Sequence, residues 1–195
     1  MHNASYILAA IIMFAPVPAF AQDWINYFDI EQRFSVNLPG EPTIEDTTIV
    51  SQRGSTYPER LYRANDGESR YIVKVIDYAE ALVSDVRGSV AWEAWQYRED
   101  ALESGGKITF DAYAEIDQIE GHQLQITNAD ESHTFLAIHL FARRLYVLEA
   151  TVPEGAPLPM LFQVSLQFLD ENGERVRFEI DADGQRTQVE RPTLR

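Results

Sequence analysis

The sequence predicts an α+β domain, an antiparallel β-sheet flanked by helices. Three observations carry that reading. Most of residues 24–152 falls into short runs rich in β-branched and aromatic side chains, separated by turn signals. Only two stretches, 89–104 and 159–169, space their apolar residues as a helix does. Those two stretches stand far apart, with strands in succession between them, and so lack the strict alternation of a parallel βαβ fold.

Residues 24–30 are aromatic and β-branched, and 33–38 alternate, so both read as strands with Glu31-Gln32 turning between them. Pro39-Gly40-Glu41-Pro42 is a firm break. Strands are expected at 43–52 and 58–64 around Arg53-Gly54-Ser55, and Asn65-Asp66-Gly67 has the residue types that tolerate positive φ in a tight hairpin. The run 70–78, long and β-branched, suits a central strand. The helix at 89–104 presents Ala91, Ala94, Trp95 and Leu102, with Ser89 as the expected N-cap and Gly105-Gly106 as the stop. A meander follows: strands at 107–115, 120–127, 132–141 and 145–152, with Asn128-Ala129-Asp130-Glu131 as a four-residue loop and 142–144 as a turn. Residues 153–159 form an extended loop, and in 159–169 Leu161, Phe162 and Leu169 share a helical face. The end, 174–195, is expected as a polar tail with at most one short strand at 175–180.

Residues 1–21 differ in kind from the rest. An apolar run at 6–14 is followed by Pro16 and Pro18, then by Ala19-Phe20-Ala21 ahead of Gln22-Asp23. This is the pattern of a cleavable secretory signal, and the run is too short for a spanning helix. The expectation is cleavage after Ala21, a single domain at 22–173, a periplasmic or secreted location, and no stable membrane insertion. The 1–21 segment holds no Asp, Glu, Lys or Arg, so the formal charge of −15 belongs wholly to the remainder. Such acidity argues against nucleic acid and suits solubility. The absence of cysteine excludes disulfides and thiolate catalysis.

The run Phe34-Ser35-Val36-Asn37-Leu38-Pro39-Gly40-Glu41-Pro42, the later Arg143-Arg144-Leu145-Tyr146-Val147-Leu148-Glu149-Ala150, and the closing Ser165-Leu166-Gln167-Phe168 resemble the PsbP-like superfamily. The chain is also similar to exported α-proteobacterial proteins of unknown function in which Glu120-Gly121-His122-Gln123-Leu124-Gln125 recurs. The resemblance covers about residues 24–170 and departs from the pattern at Leu166, where the superfamily has an aromatic. It implies an α/β/α sandwich that acts as a non-catalytic binding module, as in accessory photosystem subunits and a partner of a small nuclear GTPase. It carries over no catalytic residue.

The chemistry-bearing residues form no complete catalytic constellation. With Thr127 opposite Ser132, Glu120 faces His139 and His122 faces Ala137. Glu120 and His139 then make either a cross-strand polar pair or an acid/base site. His133 and His139, six residues apart on one strand, lie about 20 Å apart and cannot share a metal. With no cysteine, a zinc site is not expected. Counting from Asp181, positions six and twelve of a calcium loop are Arg186 and Pro192, so that loop fails. Gly105-Gly106-Lys107-Ile108 lacks the remaining residues of a phosphate loop, and no G-x-S-x-G occurs. Arg143 and Arg144 mark a turn that either is solvated or binds an anion. Trp95 fits the apolar helix face with Ala91 and Leu102, Trp92 lies at its edge and Tyr97 points elsewhere; both core packing and interface anchoring remain open for the tryptophans. The leading expectation is a non-enzymatic domain, without metal or cofactor, that binds a protein or peptide through one sheet face or the Trp92 helix. The alternatives are a carrier of a small apolar ligand held between sheet and helix, and an enzyme using Glu120 and His139.

Overall fold

A computed structural model describes residues 24–51, 53–81 and 86–189. The leader expected at 1–21, Gln52 and the last residues of the tail lie outside the described residues.

Seven strands form one sheet in the order β3 (Thr43–Val50), β4 (Thr56–Asp66), β5 (Ser69–Asp77), β9 (Arg144–Val152), β8 (His133–Phe141), β7 (Ile119–Thr127), β6 (Lys107–Ile116). Every neighbouring pair is antiparallel. The chain therefore lays down two meanders, β3-β4-β5 and β6-β7-β8-β9, and closes them by pairing β5 with β9 at the centre. Helix α1 (Ser89–Glu103) connects the two meanders. It ends as expected, with Gly105 N–H reaching the Leu102 carbonyl and Gly106 N–H reaching that of Ala101. Its start differs: Gly88, at φ 84°, is the N-cap, and Ser89 is the first helical residue.

Because side chains alternate across a strand, the sheet carries two cores. One face presents Tyr62, Val73, Ala137 and Leu148, covered by Phe34, Val36 and Leu38 of β2 (Phe34–Leu38), together with Phe162 and Phe168. The other presents Ile76, Leu124, Ile126, Leu136, Ile138, Leu145 and Val147, covered by Ala94 and Ala101 of α1. Phe34 meets Tyr62 edge-on at 5.1 Å, and Phe168 meets Tyr146 likewise at 5.3 Å. Burial of each such Phe ring stabilises by about 2 kcal/mol.

The α+β class and the antiparallel sheet are as expected; the second helical layer is not. Opposite α1 lies a three-stranded sheet in the order β1 (Ile25–Asp29), β2, β10 (Gln167–Phe168), with one helical turn, α2 (Met160–Gln163). The helix expected over 159–169 stops after that turn. Ser165 is the reason: its hydroxyl donates to the Phe162 carbonyl at 2.9 Å and accepts the Asn37 N–H at 3.1 Å, tying the chain to β2. Gln167 and Phe168 then pair with Ser35 and Phe34. Past 173 the expected polar tail instead contributes Val176, 3 % exposed, to the core, then closes as a hairpin of β11 (Phe178–Ile180) and β12 (Arg186–Gln188) turning at Asp183-Gly184.

Candidate functional site

Beside the apolar contacts of Ala94 and Ala101, the underside of α1 carries a polar cluster where the sequence predicted only apolar packing. Tyr97, expected to point away, turns in and donates to Glu149 at 2.6 Å while accepting a hydrogen bond from Lys74. Lys74 lies 3.3 Å from the same carboxylate. Burial, then the neighbouring Glu149, pushes the Tyr97 hydroxyl well above its ordinary range. Burial likewise raises the carboxyl groups of Glu93 and Glu59, against the opposing charge of Lys74. Small Ala94 and Ala101 let the helix approach this ionic layer, and the large side chains turn outward. Trp95 is therefore 42 % exposed and Leu102 52 % exposed, which overturns their placement on a core-facing surface. Trp92 is half-buried and stacks on Trp95 with centroids 4.6 Å apart. Lys74, Tyr97 and Glu149 set a polar layer into the space between sheet and helix, the candidate berth for an apolar ligand.

The expected Glu120–His139 pair is not assembled. The β7–β8 loop holds five residues, closed by Asn128 N–H to the Ser132 carbonyl with Glu131 at φ 64°, so Thr127 pairs with His133. That one-residue slip pairs His139 with Gly121 and His122 with Ile138. It puts Glu120 and His139 on opposite faces of the sheet. Glu120 is exposed, whereas His139 is fully buried and neither ring nitrogen has a hydrogen-bond partner among the described residues. Burial drives its pKa down to about 4, and the nearby Ile119 and Glu120 carbonyls, short of hydrogen-bond geometry, offset this only in part. The ring lies over Gly121, where a Cβ would stand 2.1 Å from Nδ1. His122 faces the α1 side, 2.6 Å from Asp111, which also accepts from Arg98 of α1 at 2.8 Å. Burial opposes ionisation of Asp111, yet the bonds from His122 and Arg98 hold its carboxyl below the ordinary value.

Arg143 stands exposed at its turn, with its guanidinium engaged by the chain's own carbonyls. Ala142 and Arg143 take the two positive φ values of a tight hairpin turn, 47° and 62°. The Arg143 guanidinium donates to the carbonyls of Tyr78, at 2.9 and 3.1 Å, and Ala81, at 2.6 Å, and so pins the turn to the segment after β5. Arg144 pairs across the sheet with Asp77 at 3.6 Å.

Two features have little or no signature in the sequence. The first is an apolar ridge around α2: Leu158, Met160, Leu161 and Val164 are 51, 55, 81 and 57 % exposed. Between them Phe162 is buried against Tyr71, and Gln163 donates to the carbonyls of Leu124, at 3.2 Å, and Leu136, at 2.7 Å. The ridge is thus anchored by the residues that alternate with it. Its one sequence signal is the run of apolar residues after Pro159, which a longer helix would have absorbed. The second feature is a cavity of about 350 Å³ at the start of α1, lined by Val50, Arg53, Arg87, Ser89, Trp92 and Glu93 among others. Among the described residues, no group of three His, Cys, Asp or Glu side chains is placed to hold a metal ion, and no helix is long and apolar enough to cross a membrane.

No protein-family model matches this chain, and no curated protein matches it by sequence. Among solved structures it is similar to the solution structure of cyanobacterial PsbP (CyanoP) from Synechocystis sp. PCC 6803, with a TM-score of 0.46 and 10 % identity over 72 % of this chain and 86 % of that one. The likeness concerns the course of the backbone. It transfers no residue role.

Proposed function

We propose that this protein is an exported, non-catalytic accessory domain that binds a protein or peptide partner through the apolar ridge around α2. The observation that carries the reading is the ridge itself: four aliphatic side chains, each more than half exposed within seven residues, held on a turn whose other side chains are locked in the core. Single exposed aliphatics are ordinary on protein surfaces, whereas a contiguous group rimmed by polar residues marks an interaction surface. Rigid display lowers the ordering cost of association. The export pattern at 1–21 and the superfamily motifs at 34–42, 143–150 and 165–168 suit a module of this kind. The stacked Trp92–Trp95 pair lies on the opposite side of the seven-stranded sheet and is not part of this surface.

The test is chemical cross-linking in envelope fractions of the host, followed by mass spectrometry. Wild type is expected to give one reproducible cross-linked partner. Leu161→Glu is expected to lose it while the melting temperature stays within a few degrees, because Leu161 is 81 % exposed. Retention of the partner by Leu161→Glu, combined with its loss in Trp95→Glu, would move the interface to α1 and refute the assignment.

A further inference from the structure

The start of α1 carries a combination of groups that partner binding at α2 does not use. The chain is strongly acidic, yet arginines gather here. Arg53 and Arg87 line the cavity of about 350 Å³ beside Trp92, and Arg87 and Arg186 line an adjoining cavity of about 310 Å³. Gly88 and Ser89 form part of both walls. Among the described residues no side chain caps the helix and its first turn holds no acidic residue, so within them nothing offsets the positive end of its dipole. Ser89 supplies an independent sign. It is 5 % exposed, and its hydroxyl has no hydrogen-bond partner among the described residues. A buried hydroxyl left unpaired costs stability that a ligand oxygen would recover.

We propose that this cavity binds a small organic anion, its carboxylate or phosphate group held by Ser89, the first turn of α1 and Arg87, and its flat apolar part laid against Trp92. Arg87 stands exposed at the mouth, where a guanidinium meets an oxyanion with paired hydrogen bonds. The stack on Trp95 fixes the Trp92 ring as a wall. The volume is that of a small-molecule pocket and is too small for a folded partner. Among the described residues Glu93 is the one carboxylate in the lining of this cavity, and burial raises its carboxyl pKa, which lessens its opposition to an anion. The second cavity is lined by the Glu120 carboxylate as well as by Arg186, so the anion belongs on the Trp92 side.

The probes are benzoate and phenyl phosphate, titrated into the full mature chain by calorimetry and by tryptophan fluorescence, with acetate and inorganic phosphate as their counterparts without a ring. At least one aromatic anion is expected to bind at a single site and shift the tryptophan emission, more tightly than its ringless counterpart; which of the two prevails distinguishes a carboxylate ligand from a phosphate ligand. Arg87→Gln is expected to weaken that binding about tenfold or more. Ser89→Ala weakens it less, and both variants keep the wild-type circular dichroism spectrum. The proposal is overturned if neither aromatic anion binds at millimolar concentration, or if Arg87→Gln binds as well as wild type. Leu161→Glu leaves anion binding unchanged, so this site and the α2 ridge stand or fall separately.

Discussion

Replacement of His139 by leucine tests the energetics of the sheet interior most directly. The histidine is fully buried and both ring nitrogens lack partners, so a leucine of similar volume removes two unpaired polar atoms and keeps the packing against Phe168. At neutral pH, His139→Leu is expected to be at least as stable as wild type, to within about 1 kcal/mol. The pH dependence has a definite sign. Burial lowers the folded-state pKa from 6.5 to about 4, so between those values the unfolded chain binds a proton that the folded chain refuses. The stability contributed by the neutral imidazole is therefore present above the unfolded value and is lost as pH falls toward the folded one. Going from about pH 7 to about pH 4.5, this linkage costs wild type about 2 kcal/mol that the leucine variant does not lose. Urea denaturation of both proteins at the two pH values reads the difference directly, because all other titrating groups are common to both. If the gap between their unfolding free energies is the same at both pH values, the buried neutral imidazole is wrong.

Gly121→Ala places a Cβ 2.1 Å from the His139 ring and 2.5 Å from the Ile138 carbonyl, and should cost about 3 kcal/mol or more in thermal unfolding. Adding His139→Ala to that variant should recover part of the loss, since the two residues share one contact. Tyr97→Phe leaves Glu149 and Lys74 short of a partner under α1, and about 2 kcal/mol should be lost in urea unfolding. Glu93→Gln should stabilise the protein at neutral pH, because burial raises the carboxyl pKa and the charged form is the disfavoured one; the gain should shrink as pH falls and the native carboxyl takes up its proton. Protein recovered from the host envelope should begin at Gln22 by intact-mass measurement, and a stable full-length chain in the cytosol would remove the export reading.

Strand positions are legible in this sequence because each strand is local: alternating β-branched and aromatic residues bounded by Pro, Gly and Asn define them without reference to the rest of the chain. The stop of α1 at Gly105-Gly106 is legible for the same reason. Composition alone excludes thiol chemistry and argues against a nucleic-acid footprint, since neither depends on how the chain folds. What neighbours decide is not legible. Whether the β7–β8 loop holds four or five residues turns on Ser132 closing against Asn128, and that single residue separates a Glu120–His139 pair from two side chains on opposite faces of the sheet. The face that α1 turns inward is set by Lys74 and Glu149, which no periodicity within the helix records; Tyr97 answers them and Trp95 is left outside. The second helix is cut to one turn by a hydroxyl contact to β2, far away in the chain. Local chemistry thus determines the elements, whereas register, facing and termination come from contacts between residues distant in sequence. The α2 ridge and the arginine-lined cavity exist only through those contacts.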